Sequence, residues 1–161
     1  MKTARFFALT AILVLTGFLN SEAQIYTGGN LGAHVNNSGY YVDVAPVVGY
    51  RYKRLDAGIS PFFSYRSNKI IANRYSYGGR IFTEVTIIDN VFLHAEIEAT
   101  NIDVPGSNER KWIFGIPVGA GYRKEIAPNT HAHAMILYDL LLDDDSSVNN
   151  PIVRAGVTYS F

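Results

Sequence analysis

Residues 151–161 read Pro-Ile-Val-Arg-Ala-Gly-Val-Thr-Tyr-Ser-Phe. Successive side chains of a β-strand leave on opposite faces, so this stretch sorts into two sets. Val153, Ala155, Val157, Tyr159 and Phe161 form a wholly apolar face, and Ile152, Arg154, Gly156, Thr158 and Ser160 form a face of small and polar residues with one arginine. Such a face either packs into a soluble core or meets lipid. The choice depends on whether other segments obey the same rule.

Eight segments alternate in this way, near residues 25–35, 40–52, 56–66, 75–87, 91–102, 112–123, 131–142 and 152–161, separated by turn-forming clusters. In the second, Tyr40, Val42, Val44, Pro46, Val48, Tyr50 and Tyr52 oppose Tyr41, Asp43, Ala45, Val47, Gly49 and Arg51. In the fourth, Tyr75, Tyr77, Gly79, Ile81, Thr83, Val85 and Ile87 oppose Ser76, Gly78, Arg80, Phe82, Glu84 and Thr86. The third aligns Ala57, Ile59, Pro61, Phe63 and Tyr65 against Gly58, Ser60, Phe62, Ser64 and Arg66, and the sixth aligns Trp112, Phe114, Ile116, Val118, Ala120 and Tyr122 against Gly115, Pro117, Gly119, Gly121 and Arg123. The charged residues read inside these segments share one parity with most of the glycines, while the other parity carries β-branched and aromatic side chains. An eight-stranded barrel has an interior only just wide enough for side chains. The face mixing glycine with charge therefore suits the inside and the large apolar face the outside, as in a transmembrane barrel. The predicted fold is all-β, an eight-stranded antiparallel up-and-down transmembrane barrel.

The connections follow the same plan. Short turns are expected at Lys53–Leu55, Ile88–Asn90 and Lys124–Thr130, and at the other end come residues 36–39 and three longer polar loops, 67–74, 103–111 and 143–150. Aromatics on the apolar face collect at both ends, as interfacial girdles do. Tyr40, Tyr65, Tyr75, Tyr77, Trp112 and Phe114 gather at the loop end, and Tyr50, Tyr52, Tyr122, Tyr159 and Phe161 at the turn end.

At the amino terminus Lys2 and Arg5 precede an apolar run from Phe6 to Leu19 and a Ser21-Glu22-Ala23 patch. That pattern predicts a signal peptide over residues 1–23, too short to span a bilayer as a helix, and a barrel domain over 24–161. Cleavage would leave 138 of the 161 residues and move the formal charge from 0 to −1, which disfavours a nucleic-acid partner. The chain has no cysteine, which rules out disulfides, thiolate metal sites and a cysteine nucleophile.

With these features the sequence resembles the small eight-stranded outer-membrane barrels of Gram-negative bacteria, similar in outline to the membrane domain of outer membrane protein A. The resemblance implies residence in the bacterial outer membrane, lipid and lipopolysaccharide as surroundings, and an assembly signal at Val157, Tyr159 and Phe161 read by the barrel assembly machinery. It implies a porin-like architecture and leaves the surface ligand unknown.

The candidate chemistry lies on the charged parity: Asp43, Arg51, Arg66, Arg80, Glu84, His94, Glu96, Glu98, Arg123, Asp139 and Arg154. A register in which paired residue numbers add to 178 sets Arg80 opposite Glu98 and Glu84 opposite His94, so a charge exchange between Arg80 and Glu98 is expected to recover stability. The expected role is a charge-filled, closed lumen beneath loops that bind at the cell surface; a narrow ion path is the alternative. His131 and His133 share a strand face and Asp143-Asp144-Asp145 could meet a cation, but neither spacing completes a metal motif, so no metal or cofactor is expected. Ser64 and Ser76 point inward without a histidine at nearby spacing; the expectation is not an enzyme, with lipid A modification as the alternative. A soluble lipocalin-like binding barrel would need the opposite parity.

Overall fold

The computed structural model describes residues 23–36, 39–68, 74–104, 109–141 and 150–161. The expected signal peptide up to Glu22, the central parts of the expected long loops and the acidic run 143–147 lie outside the described residues.

Nine strands form one sheet: β1 (Ala23–Asn36), β2 (Gly39–Tyr52), β3 (Leu55–Asn68), β4 (Arg74–Ile88), β5 (Val91–Asp103), β6 (Arg110–Gly115), β7 (Pro117–Ala127), β8 (Thr130–Asp139) and β9 (Ile152–Ser160). Every neighbouring pair is antiparallel, and β1 pairs with β9 while β4 pairs with β5, so the sheet closes on itself. Both β6 and β7 pair with β5, one on each side of Ile116, and together they make one wall. The architecture is therefore a closed eight-walled antiparallel barrel with no free sheet edge at its seam, which is how an up-and-down sheet satisfies its backbone.

The sixth segment is thus not continuous as expected. Its break has a local cause: Pro117 lacks an N–H, and the Ile116 N–H donates to the Asp139 carboxylate at 2.8 Å instead of a ladder carbonyl. The seventh segment also ends earlier than expected, at Asp139. There the Asp139 N–H donates to Asn150 Oδ1 at 2.8 Å and Asn150 Nδ2 donates back to the Asp139 carbonyl at 3.0 Å, which replaces further strand pairing. The expected Lys124–Thr130 turn shrinks to Pro128–Asn129, because β7 and β8 pair as far as Ala127 opposite Thr130 after a bulge. Asp89 and Asn90 similarly form a two-residue turn, and a bulge between Thr86 and Ile88 shifts the pairing so that numbers add to 178 through the rest of the hairpin. Positive φ at Lys53, Asp89 and Asn129 builds the three tight turns.

Parity holds around the wall. Tyr26, Tyr41, Val47, Phe62, Phe82, Phe92, Met135, Leu137 and Ile152 are buried inside, and Ile25, Leu31, Val44, Ile59, Ile81, Leu93, Ile97, Ile136 and Val153 are exposed outside. Glycines make the interior fit: a Cβ at Gly49 would overlap the Tyr26 ring. Pro46 and Pro61 both face outward on neighbouring strands, where β2–β3 pairing lapses between Val44–Phe63 and Val48–Ile59. Neither proline can donate to the ladder, and the Ser60 hydroxyl fills the gap from inside by donating to the Pro46 carbonyl at 2.9 Å.

Two glycines of opposite parity should respond oppositely to added bulk. A side chain at Gly119 would run into the Ile136 carbonyl, whereas a Cβ at Gly79 meets nothing within 4 Å. Gly119→Val is expected to cost more than about 3 kcal/mol, beyond ordinary overpacking, and to abolish the heat-modifiable folded band on gels. Gly79→Ala is expected to stay within about 0.5 kcal/mol of the parent in urea unfolding.

Candidate functional site

The inner ends of β2–β5, β7 and β9 meet in one chain of ion pairs. At the turn end, Arg51 on β2 grips Asp56 on β3 through Nε and Nη2, at 3.0 and 2.9 Å to Oδ2. Arg123 on β7 reaches the same Asp56 oxygen at 2.9 Å and also pairs with Glu84 on β4. Glu84 meets His94 Nδ1 at 2.9 Å, and His94 Nε2 meets Glu96 at 3.0 Å. Glu96 accepts from Arg154 Nη1 at 2.7 and 2.8 Å. Arg154 lies 3.4 Å from Glu98, which pairs with Arg80 at 2.6 Å, and Arg80 ends the chain on Asp43 at 3.0 Å.

This order follows from strand register. Arg80 lies opposite Glu98 and Glu84 opposite His94, the pairing read from the sequence, and Arg51 lies opposite Asp56. Arg154, Arg123 and Asp43 arrive from across the lumen. Burying a charge costs several kcal/mol unless it is paired, and here each carboxylate of the chain faces at least one cation. His94 presents both ring nitrogens to carboxylate oxygens. A ring carrying one N–H satisfies one of them, and a doubly protonated ring satisfies both. Aromatic faces add support, with Arg80 4.0 Å over Phe62, Arg123 4.7 Å over Phe92, and Phe82 stacked on His94 at 5.6 Å.

Asp56 is the member that sequence reading missed. It opens the third segment on the charged parity beside Gly58, so the alternation rule already assigned it inward. It is almost wholly buried and holds two arginines. Asp139 goes the other way: instead of joining an arginine, its carboxylate accepts the N–H groups of Ile116 and Leu141, at 2.8 and 3.0 Å. Arg66 lies half-buried near the loop end of β3, opposite Tyr41 and Arg74. His133 is buried and bonds Asn30 across the β8–β9–β1 wall at 2.8 Å, while His131 is half-exposed at the turn end. The described residues contain no group of three or more His, Asp or Glu placed to hold a metal ion. Ser64 donates to the Ser76 carbonyl at 3.4 Å, and Ser76 is buried beside it on β4.

On the outer face the aromatics cluster where the strands end. At the loop end Tyr40–Tyr65, Tyr65–Tyr75 and Tyr77–Trp112 have ring centroids 6.1, 5.2 and 6.1 Å apart, with Phe114 exposed nearby. At the turn end Tyr159 packs edge-on against Phe161 at 5.2 Å, Asn90 donates to the Tyr122 hydroxyl at 3.2 Å, and Tyr50 and Tyr52 stand on β2. Val157, Tyr159 and Phe161 all point outward, and the Phe161 N–H extends the β1 ladder by donating to Ile25 at 2.9 Å.

The fold with this polar interior and apolar exterior defines a class, the small eight-stranded antiparallel β-barrel of the outer-membrane type. Among solved structures the chain is similar to Neisserial surface protein A (NspA), at 19% identity and TM-score 0.50, covering 88% of this chain and 98% of that one. It is also similar to the N-terminal β-barrel domain of Pseudomonas aeruginosa OprF, at 13% identity and TM-score 0.54, covering 85% of this chain and 97% of that one. These likenesses establish the fold. No protein-family model and no curated protein matches the sequence.

Because Arg80 also holds Asp43, and Glu98 also faces Arg154, the simple exchange of charges at 80 and 98 is not self-contained. It would set two acids together at one end and two arginines at the other, so Arg80→Glu/Glu98→Arg is expected to stay well below the parent in stability even though the 80–98 attraction is restored. Asp56→Ala, which takes the carboxylate from Arg51 and leaves Arg123 with Glu84, is expected to lower unfolding free energy by about 3–5 kcal/mol. Asp139→Ala should cost about 1–3 kcal/mol, the penalty of unpaired main-chain donors. Urea unfolding of the folded barrel in detergent measures all three.

Proposed function

We propose that this chain is a bacterial outer-membrane barrel whose lumen is closed by its own ion pairs and whose loops act at the cell surface, in a structural or binding role. The observation that carries the reading is the distribution of polarity: the outward face of every wall is apolar between two aromatic girdles, and the charges turn inward. Water outside would leave that belt the largest exposed apolar surface on the molecule, which a soluble monomer rarely tolerates; lipid resolves it. In this arrangement the turn end with the chain termini faces the periplasm, after export through the signal peptide, and the loop end faces lipopolysaccharide.

Closure is supported by the small size of the voids in the lumen. Among the described residues, two spaces beside the ion pairs measure about 20 and 10 Å³, room for a water molecule each. Spaces of that size favour a closed lumen over an ion path. The assembly role of Val157, Tyr159 and Phe161 is part of the same proposal, since all three lie exposed on the terminal strand where the assembly machinery could grip them.

Fractionation tests the location: the protein should remain with outer membranes and need detergent for release, and recovery in the soluble periplasm would refute the membrane reading. Ile81, 68% exposed midway along β4, gives a finer test. Ile81→Arg is expected to destabilise the barrel by about 2–4 kcal/mol in bilayers, as a cation does at the midplane. Single-channel recordings should show no large steady current. Deleting Phe161 should lower the yield of folded barrel in cells.

A further inference from the structure

The lumen is tightly filled at its middle but opens at the turn end, where a cavity of about 280 Å³ lies among the hairpin turns. Four cationic side chains line it, Arg51, Lys53, Arg54 and Arg123, against two carboxylates, Asp89 and Glu125, with His131 on the β8 side. Asp56 behind them pairs with both Arg51 and Arg123, and Glu84 pairs with Arg123 as well, so the direction of both guanidinium groups is fixed.

The mouth of this cavity is held in shape by main-chain bonds that tie each turn to the next wall. The Thr86 N–H donates to the Arg54 carbonyl at 2.8 Å and the Arg123 N–H to the Asn90 carbonyl at 2.7 Å. A rim laced in this way holds the backbone that carries the charged side chains before any ligand arrives, which lowers the ordering cost of binding. Two ring and guanidinium nitrogens on lining residues, His131 Nδ1 and Arg123 Nε, are buried and meet no protein partner. Buried polar groups are nearly always satisfied, and water or a bound group completes these two.

We propose that this vestibule binds a phosphate group. Its volume, just below the usual range for small-molecule pockets, leaves room for a phosphate group together with part of the molecule that carries it. The four cationic side chains of the lining can offer charge-assisted hydrogen bonds of the kind phosphate oxygens accept. The phosphate could come from a soluble molecule or from a lipid headgroup, because the mouth sits at the aromatic girdle: Lys53 Nζ lies 5.2 Å over the Tyr52 ring, and Asn90 bonds Tyr122. The inference depends on the barrel fold and not on its location, so it can fail or succeed independently of the fractionation result.

The test is NMR of histidine-labelled, folded full-length protein in an uncharged maltoside detergent. Inorganic phosphate, at ionic strength held constant with chloride, should shift the His131 ring resonances saturably and leave those of His94 unmoved. Lys53→Asn/Arg54→Gln, in which Asn tolerates the positive φ at position 53, should weaken that binding at least tenfold. A His131 shift absent with free phosphate but present in phosphatidylglycerol nanodiscs, and lost in the double variant, would assign the site to a lipid headgroup. No shift under either condition, or an equal shift with chloride alone, would overturn the proposal, and this holds for the parent protein whether or not the double variant folds.

Discussion

Everything in this barrel depends on one constraint: charges placed in a lumen only a side chain wide can be neutralised only by one another. Water is scarce there, and an unpaired charge would cost a large share of a typical domain's stability. The chain from Arg51 through Asp56, Arg123, Glu84, His94, Glu96, Arg154 and Glu98 to Arg80 and Asp43 meets that demand by linking walls that are distant in sequence. It acts as an internal cross-brace. Hydrogen bonds hold each wall to its neighbours; the ion pairs of Arg123, Arg154 and Asp43 hold walls that are not neighbours to one another.

The apolar exterior follows from the same partition. With the charges and the glycines spent on the inside, the outward positions carry β-branched and aromatic side chains, and the strand ends carry the tyrosines and tryptophan that suit a boundary between apolar and wet surroundings. Irregularities concentrate where the ladder lacks a donor. Pro46 and Pro61 leave a gap that Ser60 covers, and Pro117 leaves a break that Asp139 covers. In both places a polar side chain substitutes for a missing main-chain partner, which keeps the wall closed without perfect strands.

Much of this was readable from alternation alone, because a side chain's face in a strand depends only on its parity. The inward placement of Arg80, Glu84, His94, Glu96, Glu98, Arg123 and Arg154 follows from counting by twos, and so does that of Asp56, which lay at the edge of a segment and was passed over. The Arg80–Glu98 and Glu84–His94 pairing was also legible, since a short turn sets the register of the hairpin it closes. Two features were not. The role of Asp139 depends on Asn150 and on the break at Ile116, neither of which has a period, and the β7–β8 turn moved because pairing beyond the barrel wall is decided by a bulge.

By itself, the sequence determined which residues face in, which face out, how many walls there are and how the β4–β5 hairpin pairs, since period 2 and turn length are local properties of the chain. Tertiary structure alone decided which inward charges meet across the lumen: that Arg123 bridges Asp56 and Glu84, that Arg154 reaches Glu96, and that a cavity survives at the turn end. These contacts join strands far apart in the chain, and their geometry depends on how far each strand is staggered when the barrel closes. That stagger belongs to the closed sheet as a whole, and no single segment records it.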